Sequence, residues 1–374
     1  SDSSTANSPV PTLWKEVVTK DQIKNDGSQF TIETARGDIF NIVPNSKDLD
    51  KTGAFITTRS TITSNEGEVG EAVITSTLAM ESITGRITLD SGRLLTVTSN
   101  RDGDVELTEI DNESIKDCDH ALTVDYDHSI PNDTPQLKEL AGTTPSIDLL
   151  VVYTDKARIA AGSASQIKAE ITQAVLDMNT AATNSGAGFT VNLVGSVEVT
   201  YAESGTTEID LARAATANDG YLDEVPSLKD QYKADVVSIV ENTNQNCGSG
   251  YLMTSVNTGF ASYAYSIVNR GCMISNLTLA HEIGHNMGAN HDRNNASIGA
   301  YSYSFGHRFG AYRSIMAYAP GVRVPVYSSP THTYQGYVTG VAEGASNSAD
   351  NARSLSETAS TVADFVVDTG NSNP

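Results

Sequence analysis

The sequence predicts two domains, a β-rich N-terminal domain and a C-terminal α/β domain with partly parallel strands. The chain has 374 residues, which is long for a single domain. Apolar residues follow a period of two over much of residues 14–115, whereas apolar strands alternate with helical patterns from residue 147 onwards. A stretch rich in proline, aspartate and threonine separates the two halves.

The N-terminal half contains short strands joined by glycine turns. Strands are predicted at 86–90, 93–98 and 105–108, where polar and apolar residues alternate. Gly85 and Gly92 lie in turns around these strands, because glycine adopts turn conformations easily. This half contains no cluster of catalytic residue types, so the sequence assigns no chemistry to it.

A linker is predicted between the halves. Pro131, Pro135 and Pro145 lie in a polar segment, which is typical of a connection without regular structure. We therefore place the two domains at residues 1–130 and 146–374, with the linker at 131–145.

The second half has the order of a layered α/β domain. Its nearly continuous first apolar run is typical of a buried strand. Ile167, Ile171 and Val175 then recur at helical spacing. The predicted elements are a strand at 147–153, a helix at 165–180, a strand at 189–199, a short helix at 206–214 and a strand at 234–240.

The stretch HEIGHNMGANHD, residues 281–292, combines the residue types of a metal site. On a helix, residues four apart share a face, so His281 and His285 can bind one ion together. Glu282 lies beside the first ligand, where it can hold a water molecule. Gly288 ends the helix, because glycine adopts the left-handed conformation at little cost. The resulting turn brings His291 back as a third ligand.

Three imidazoles with one open position predict one catalytic Zn²⁺ ion, since structural zinc sites usually close with four protein ligands. Zinc lowers the pKa of a bound water to about 7. Glu282 would accept the proton of that water and pass it to the leaving amine. A helix with surface histidines is the alternative, and the added Gly288, His291 and Asp292 argue against it.

The motif His-Glu-x-x-His-x-x-Gly-x-x-His-Asp resembles that of the metzincin zinc peptidases, and Asp292 resembles their adamalysin branch. The resemblance implies a Met-turn, which SIMAY at 314–318 fits, with Met316 beneath the zinc ligands. Core packing is the alternative role of Met316 and is compatible with the first. Tyr318 matches a metal-side tyrosine of astacins and serralysins. Its hydroxyl would bind zinc or the oxyanion, or the residue serves packing alone.

Over about residues 145–367 the chain is similar to bacterial adamalysin-like enzymes, particularly the peptidyl-Asp metallopeptidase family. The resemblance implies an α/β metzincin catalytic domain, with a twisted, mostly parallel sheet, helices and zinc in the cleft. Gly250 departs from the family, where alanine is commoner, which leaves the shape of the substrate pocket open. The stretches that carry the similarity are 147–154, 247–253, 324–330 and the final helix at 349–365.

The resemblance also implies how substrate binds. The strand at 247–253, at the upper rim of the cleft, would pair with an extended protein or peptide substrate, which recognises main chain rather than sequence. A narrower specificity for Asp-containing bonds rests on the resemblance alone. It requires a basic residue in the cleft, for which the candidates are Arg270, Arg293, Arg308, Arg313 and Arg323.

Three cysteines indicate one disulfide and one remaining thiol in an extracellular protein. The resemblance implies that Cys247 and Cys272, both in the second domain, form the disulfide. Cys118 resembles, by its position before the linker, the cysteine switch of adamalysin and matrix metalloprotease proenzymes, in which a thiolate occupies the open zinc position. Residues 1–130 would then be an inhibitory prodomain, which a cut between residues 137 and 145 would release.

Other ligands for the open zinc position stay open, because the residues around Cys118 differ from the usual switch sequences. Asp117 or Asp119 would bind zinc as an aspartate does in astacin zymogens, or His120 would bind it. Cys118 as a buried free thiol, or as a non-native partner of Cys247, is the remaining interpretation.

Composition narrows the partners and the location. A formal net charge of −22 argues against nucleic acid, and no apolar stretch approaches the roughly 20 residues of a membrane span. The chain begins at Ser1 without an apolar leader, as a processed secretory precursor or a shortened chain would. We therefore predict a secreted zymogen that is a monomer and does not bind membranes, with protein substrates and its own prodomain as partners.

Two other functions remain open at this point. A non-catalytic secreted binding protein would keep zinc for stability, although such a site has no need of Glu282. Alternatively, residues 1–142 would be a permanent substrate-binding module. The unpaired Cys118 and the Pro-rich linker favour the removable inhibitor.

Overall fold

The computed structural model describes residues 9–19, 22–25, 29–100, 102–118, 121–127 and 144–366. Three of the sequence predictions fall outside these residues. They are most of the linker with its predicted cut region, and the candidate ligands Asp119 and His120.

The N-terminal half forms one antiparallel sheet of nine strands. From β2 to β9, each strand pairs with the next strand in the chain, and β1 pairs with β9 at one edge of the sheet. The strands are β1 (Thr12–Val18), β2 (Ile23–Asn25), β3 (Phe30–Glu33), β4 (Ile39–Leu49), β5 (Phe55–Ser64), β6 (Val69–Thr77), β7 (Ile83–Leu89), β8 (Leu94–Ser99) and β9 (Val105–Ile110).

The three strands predicted in this half are confirmed as β7, β8 and β9. Gly92 and Gly103 lie in the turns that join them, with φ of 90° and 82°, a conformation that side-chain-bearing residues rarely adopt. The turn predicted at Gly85 is wrong, because Gly85 lies within β7. One face of the sheet buries Phe40, Ile62 and Ile87 in a core of its own.

The C-terminal half contains a six-stranded sheet in the order β10-β14-β15-β13-β11-β12. Strands β11, β12, β13 and β15 pair in parallel, and β14 is antiparallel to β15. The first strand, β10, belongs to the N-terminal half by sequence and pairs in parallel with β14. The strands are β10 (Leu122–Thr123), β11 (Ser146–Thr154), β12 (Thr190–Val199), β13 (Val236–Glu241), β14 (Gly248–Leu252) and β15 (Tyr265–Asn269).

Seven helices and several short strands complete the described part of the chain. The helices are α1 (Asp155–Ala161), α2 (Ala164–Ser185), α3 (Thr207–Ala215), α4 (Glu224–Tyr232), α5 (Arg270–Ser275), α6 (Thr278–Asn286) and α7 (Asn351–Ala363). The short strands are β16 (Asn290–Asp292), β17 (Phe305–Gly306), β18 (Arg308–Phe309), β19 (Tyr312–Arg313), β20 (Val322–Arg323), β21 (Thr333–Tyr334) and β22 (Tyr337–Val338). None of the described helices has both the length and the apolar character of a membrane span.

The predicted helices correspond to α2, α3, α6 and α7, whereas α1, α4 and α5 were not predicted. These three have seven, nine and six residues. The six- and seven-residue helices show too few apolar positions to reveal a period of 3.6 residues, and α4, as long as the predicted α3, contains a proline.

Helix α2 lies between the two sheets. Its apolar residues, among them Ile167 and Ile171, pack in the core of the C-terminal half. On its other side Gln166 is buried against the N-terminal sheet, where it donates to the Ile83 carbonyl at 2.9 Å and accepts from the Ile83 amide at 3.2 Å. Thr75 likewise donates to the buried Gln173. The N-terminal sheet therefore docks on the C-terminal half through satisfied polar contacts.

The predicted disulfide between Cys247 and Cys272 is present, with an S–S distance of 2.02 Å. It joins the segment before β14 to helix α5. Both cysteines pack with Ile110, Ile115 and the buried free cysteine Cys118 in a small apolar cluster. The disulfide therefore lies where the N-terminal half meets the C-terminal half.

Replacing Cys247 and Cys272 together by alanine is expected to lower the free energy of unfolding by about 3 kcal/mol, because the 25-residue loop regains chain entropy in the unfolded state. Guanidinium unfolding of the full chain measures this loss. The variant Cys118→Ala is the control when both variants are measured after removal of zinc, since it then removes a buried thiol without removing a cross-link. Equal losses in the two variants would contradict the entropic contribution of the disulfide.

Candidate metal centre

Three histidine side chains converge at the C-terminal end of helix α6. The Nε2 atom of His291 lies 3.2 Å from that of His281 and 3.0 Å from that of His285. His281 Nδ1 lies 2.8 Å from the Ile315 carbonyl, and His285 Nδ1 lies 2.9 Å from the Ala289 carbonyl. A carbonyl only accepts, so both Nδ1 atoms carry the proton. The Nε2 lone pairs of His281 and His285 therefore point to the common centre.

This donor set fits zinc. Three imidazole nitrogens are a common ligand set for catalytic zinc, and tetrahedral geometry with Zn–N bonds of about 2.1 Å places ligand nitrogens roughly 3.4 Å apart. Burial lowers the pKa of His281 well below its usual range and that of His285 to about 4. Both imidazoles are therefore neutral near pH 7, which is the form that binds metal.

The turn after α6 brings His291 back to the other two histidines. Helix α6 ends at Asn286, and Gly288 follows with φ of 87°. A methyl group at Gly288 would also lie 2.5 Å from the Ala300 side chain, so glycine is required for space as well as for conformation. Asp292 then accepts from the Tyr318 amide at 3.0 Å, which ties this turn to residues 314–318.

Met316 packs directly beneath the zinc-binding helix, where the Met-turn prediction places it. A methyl group at Gly284 would lie 2.6 Å from Met316 Sδ, so the helix and the methionine are in direct contact. Ile315, the residue before it, supplies the carbonyl that fixes His281. The turn thus orients a ligand through its backbone and supports the helix through its side chain.

The side chain of Glu282, which belongs to α6, is fully buried next to the rim strand β14. A methyl group at Gly248 would lie 2.8 Å from one Glu282 carboxylate oxygen, and one at Gly250 would lie 2.9 Å from the Glu282 carbonyl oxygen. The two glycines therefore make room for Glu282. Gly250, which departs from the resembled family, fills a position where an alanine would force a shift.

Tyr318 lies beside the triad. Its ring centroid is 4.0 Å from that of His291, and its hydroxyl donates to the Cys118 carbonyl at 2.7 Å. Burial raises the pKa of Tyr318 well above its usual value, so the hydroxyl remains a donor. The structure thus places Tyr318 next to the metal centre, and the predicted oxyanion role stays a prediction.

Cys118 also reaches the centre. The Cys118 Sγ, a His281 ring nitrogen and a Glu282 carboxylate oxygen all lie within 4.8 Å of one another. The ligand atoms of His281, His285 and His291 also lie within 4.8 Å of one another. Among the described residues, these are the two groups of potential metal ligands, and His281 belongs to both. Neither His307 nor His332 belongs to them.

Asp117, the residue before Cys118, does not reach the histidines. Its carboxylate accepts from Arg313 Nη1 at 2.7 Å and lies 3.7 Å from Arg323 Nη2. It also accepts from the Ala319 amide at 3.2 Å. The sequence indicated Asp117 as a candidate zinc ligand and Arg313 and Arg323 as candidate cleft residues. It did not indicate that Asp117 pairs with the arginines, because residues so far apart in the chain share no local pattern.

Sequence comparison assigns a class to this fold and site. Residues 143–345 match the model of Metallo-peptidase family M12B Reprolysin-like. The chain belongs to this family and is a zinc metalloendopeptidase of the metzincin type.

The chain is also similar to bacterial proteins. The chain is 33% identical over 297 residues to a peptidyl-Asp metalloendopeptidase of Xanthomonas campestris pv. campestris, covering 76% of this chain and 68% of that protein. It is 34% identical over 272 residues to a protein of the same name from a strain of Stenotrophomonas maltophilia, covering 69% of this chain and 63% of that one. The chain therefore spans about two thirds of the length of these relatives.

Gly284→Ala is expected to lower zinc affinity by roughly 10- to 100-fold, because the added methyl group pushes Met316 and tilts the helix that carries two ligands. Competition with a chromogenic chelator measures the affinity. Gly188→Ala is the matched control, since its added methyl group meets only ordinary contacts, at 3.7 Å or more. Unchanged affinity in Gly284→Ala would contradict the support that we assign to Met316.

Proposed function

We propose that the chain is a secreted zinc endopeptidase in a latent form, in which residues 111–118 and 121–127, here called the cleft segment, occupy its own substrate cleft. The observation that carries this proposal is the position of Cys118, within 4.8 Å of ligand atoms of His281 and Glu282. A peptide segment at that position excludes a substrate from the metal centre.

Contacts beyond Cys118 support the same interpretation. Strand β10 pairs with the rim strand β14, with Leu122 opposite Tyr251. Adding a strand to a sheet edge is a recurring mode of peptide recognition. Further on, the Tyr126 hydroxyl donates to the Ser255 carbonyl at 2.7 Å, and the Tyr126 ring packs edge-on against Phe260. The part of the segment that follows the cysteine is therefore fixed along β14 and the residues after it.

Latency through a thiolate requires a zinc ion beside Cys118, because the protein environment alone keeps the thiol protonated. Burial raises the pKa of the Cys118 thiol well above its usual range, and the neighbouring Glu282 adds to this effect. A zinc ion held by the three histidines counteracts both, because a nearby cation stabilises a thiolate. Asp117, the alternative ligand within the described residues, is engaged with Arg313 instead.

The catalytic roles follow from the positions of the side chains once the segment has left. Zinc supplies a Lewis acid for the scissile carbonyl and lowers the pKa of water. Glu282, buried beside the centre, takes a proton from the attacking water and delivers it to the leaving amine. Tyr318, whose hydroxyl donates to the Cys118 carbonyl, donates in the same way to the oxyanion of a substrate.

Secretion is supported by the disulfide between Cys247 and Cys272, since such bonds persist in oxidising compartments. Activation then requires a cut between residues 137 and 145. That cut frees the N-terminal region, which otherwise keeps the cleft segment in place. A monomer remains the expected state, because one chain contains all parts of the site.

We also propose a narrower substrate specificity, in which the enzyme prefers peptide bonds next to aspartate. The relatives are named peptidyl-Asp metalloendopeptidases, which favours it. The specific observation in its favour is the pair Arg313 and Arg323, which binds an aspartate within the cleft.

The alternatives have weaker support. In a binding protein that keeps zinc for stability, a buried carboxylate beside the ligands has no role. In a protease with a permanent N-terminal binding module, the cleft segment would block the cleft in the mature protein.

Cutting the chain near residue 143 is expected to switch on cleavage of an unfolded protein substrate, and a zinc chelator should abolish it. In the uncut chain, Cys118→Ala should allow slow cleavage, because water then gains access to the open position. Ser114→Ala, an exposed position four residues away, is the control and should stay latent. A zinc-loaded cut chain that cleaves nothing would favour the binding-protein alternative.

Glu282→Gln in the cut chain is expected to lower kcat/KM by at least about 100-fold, because the amide cannot accept a proton. Zinc content should remain at one ion per chain, since Glu282 is not a proposed ligand. Peptide cleavage rates and metal analysis measure the two quantities. Glu343→Gln, an exposed change of the same chemistry, is the control. Loss of zinc together with activity would show that Glu282 is a ligand.

A further inference from the structure

The five arginines that are candidates for recognising an acidic substrate have different partners in the structure. Three of them are engaged within the C-terminal half: Arg270 pairs with Glu170, Arg308 with Asp292, and Arg293 binds Ser348 and stacks on Phe305. The other two, Arg313 and Arg323, form ion pairs only with Asp117 among the described residues. Asp117 belongs to the segment that lies across the cleft.

Arg313 and Arg323 form a site, here called the arginine pocket, in which both side chains are fixed by contacts within the C-terminal half. Both side chains are fully buried. Both donate to the Ala317 carbonyl, at 3.1 and 3.2 Å. Asn276 fixes them further, since its side-chain oxygen lies 3.3 Å from Arg313 Nη2 and its carbonyl 3.0 Å from Arg323 Nη1. The two guanidinium groups are therefore held in place by the Met-turn and by the segment before α6.

The arginine pocket requires an anion. A buried cation without a partner is strongly unfavourable, and two neighbouring cations repel each other as well. Asp117 is 22% exposed, so its carboxylate lies at the mouth of the pocket, with the guanidinium groups behind it. A guanidinium fork matches a carboxylate in shape and charge, whereas an amide or an alcohol leaves the charge unpaired.

The arginine pocket also lies next to the metal centre. Asp117 is followed directly by Cys118, whose sulfur lies within 4.8 Å of ligand atoms of His281 and Glu282. The Cys118 carbonyl accepts from the Tyr318 hydroxyl beside the metal centre. An acidic side chain in the arginine pocket therefore belongs to a residue near the peptide bond presented to the metal.

We propose that Arg313 and Arg323 determine specificity by binding an aspartate side chain next to the scissile bond, and that Asp117 fills this pocket in the uncut chain in place of a substrate aspartate. The inference rests on the proposed peptidase function. Latency then depends on two neighbouring residues, Cys118 at the metal and Asp117 in the arginine pocket. Release of the segment leaves both cations unpaired, and a substrate aspartate restores the pairing.

The first test compares two peptides that differ only by aspartate or asparagine at one position, with the zinc-loaded cut chain. We expect kcat/KM to be roughly 10- to 100-fold higher for the aspartate peptide. A charge-assisted hydrogen bond between its carboxylate and the arginines is worth about that ratio. In Arg313→Lys and Arg323→Gln the ratio between the two peptides should fall towards one. Arg270→Gln, an arginine already paired within the C-terminal half, should keep the wild-type ratio. An unchanged ratio in both pocket variants would overturn the proposal.

The second test needs no change in the buried arginines, so it holds even where those variants fail to fold. Two fluorescent peptides of residues 113–122, both with Cys118→Ser, are titrated with the cut chain, and one of them also has Asp117→Asn. The peptide with the carboxylate should bind roughly 10- to 100-fold more tightly. Equal binding of the two peptides would overturn the proposal.

The third test addresses latency in the full chain. Asp117→Asn should make the uncut chain cleave an unfolded protein substrate, although Cys118 is intact. Asp104→Asn, an exposed change of the same kind in the N-terminal sheet, should stay latent. If Asp117→Asn is as silent as the wild type, Asp117 has no part in latency and that half of the proposal is wrong.

The tests separate this inference from the function on which it rests. Chelator-sensitive cleavage without preference for aspartate would leave the peptidase in place and remove the arginine pocket. Absence of cleavage in every form, together with tighter binding of the peptide that carries Asp117, would retain the pocket and overturn the peptidase.

Discussion

The rest of the structure depends on the convergence of three imidazole nitrogens. Their separations of 3.0 and 3.2 Å suit ligands of one tetrahedral cation. Neutral imidazoles with lone pairs facing each other repel unless a cation lies between them, so the surrounding fold must hold them together. Backbone carbonyls of Ile315 and Ala289 orient two rings, Gly288 turns the chain towards the third, and Met316 supports the helix from below.

The same cleft explains how the two halves of the chain fit together. The nine-stranded sheet docks on α2 through Gln166 and Gln173, away from the metal centre. From Ile110 the chain then crosses to the metal centre and continues along β14. A rigid sheet at one end and strand pairing at the other fix the segment between them, so Cys118 and Asp117 reach their partners with little further loss of conformational freedom. Under the proposed function, one cut beyond this segment would release both contacts together.

Much of the centre could be predicted from the sequence because its geometry is local. The spacing of His281 and His285 acquires meaning from the period of a helix, and Gly288 and His291 lie within one turn of its end. The strands with clear alternation and the long helix α2 were also predictable. The short helices α1 and α5 were not, because so few residues carry too little periodicity, and α4 contains a proline. The disulfide followed from family resemblance, as three cysteines alone allow several pairings.

The sequence by itself determined the residue types of the metal centre, the order of the two domains and the class of chemistry, since these depend on spacing along a few turns of chain. Only the tertiary structure decided which of five arginines face the cleft and what they bind. Asp117 and Arg313 are 196 positions apart, and their pairing depends on how two independently patterned halves pack. Composition cannot reveal such a contact, because a buried ion pair is stabilised by the desolvated environment that the whole fold creates around it.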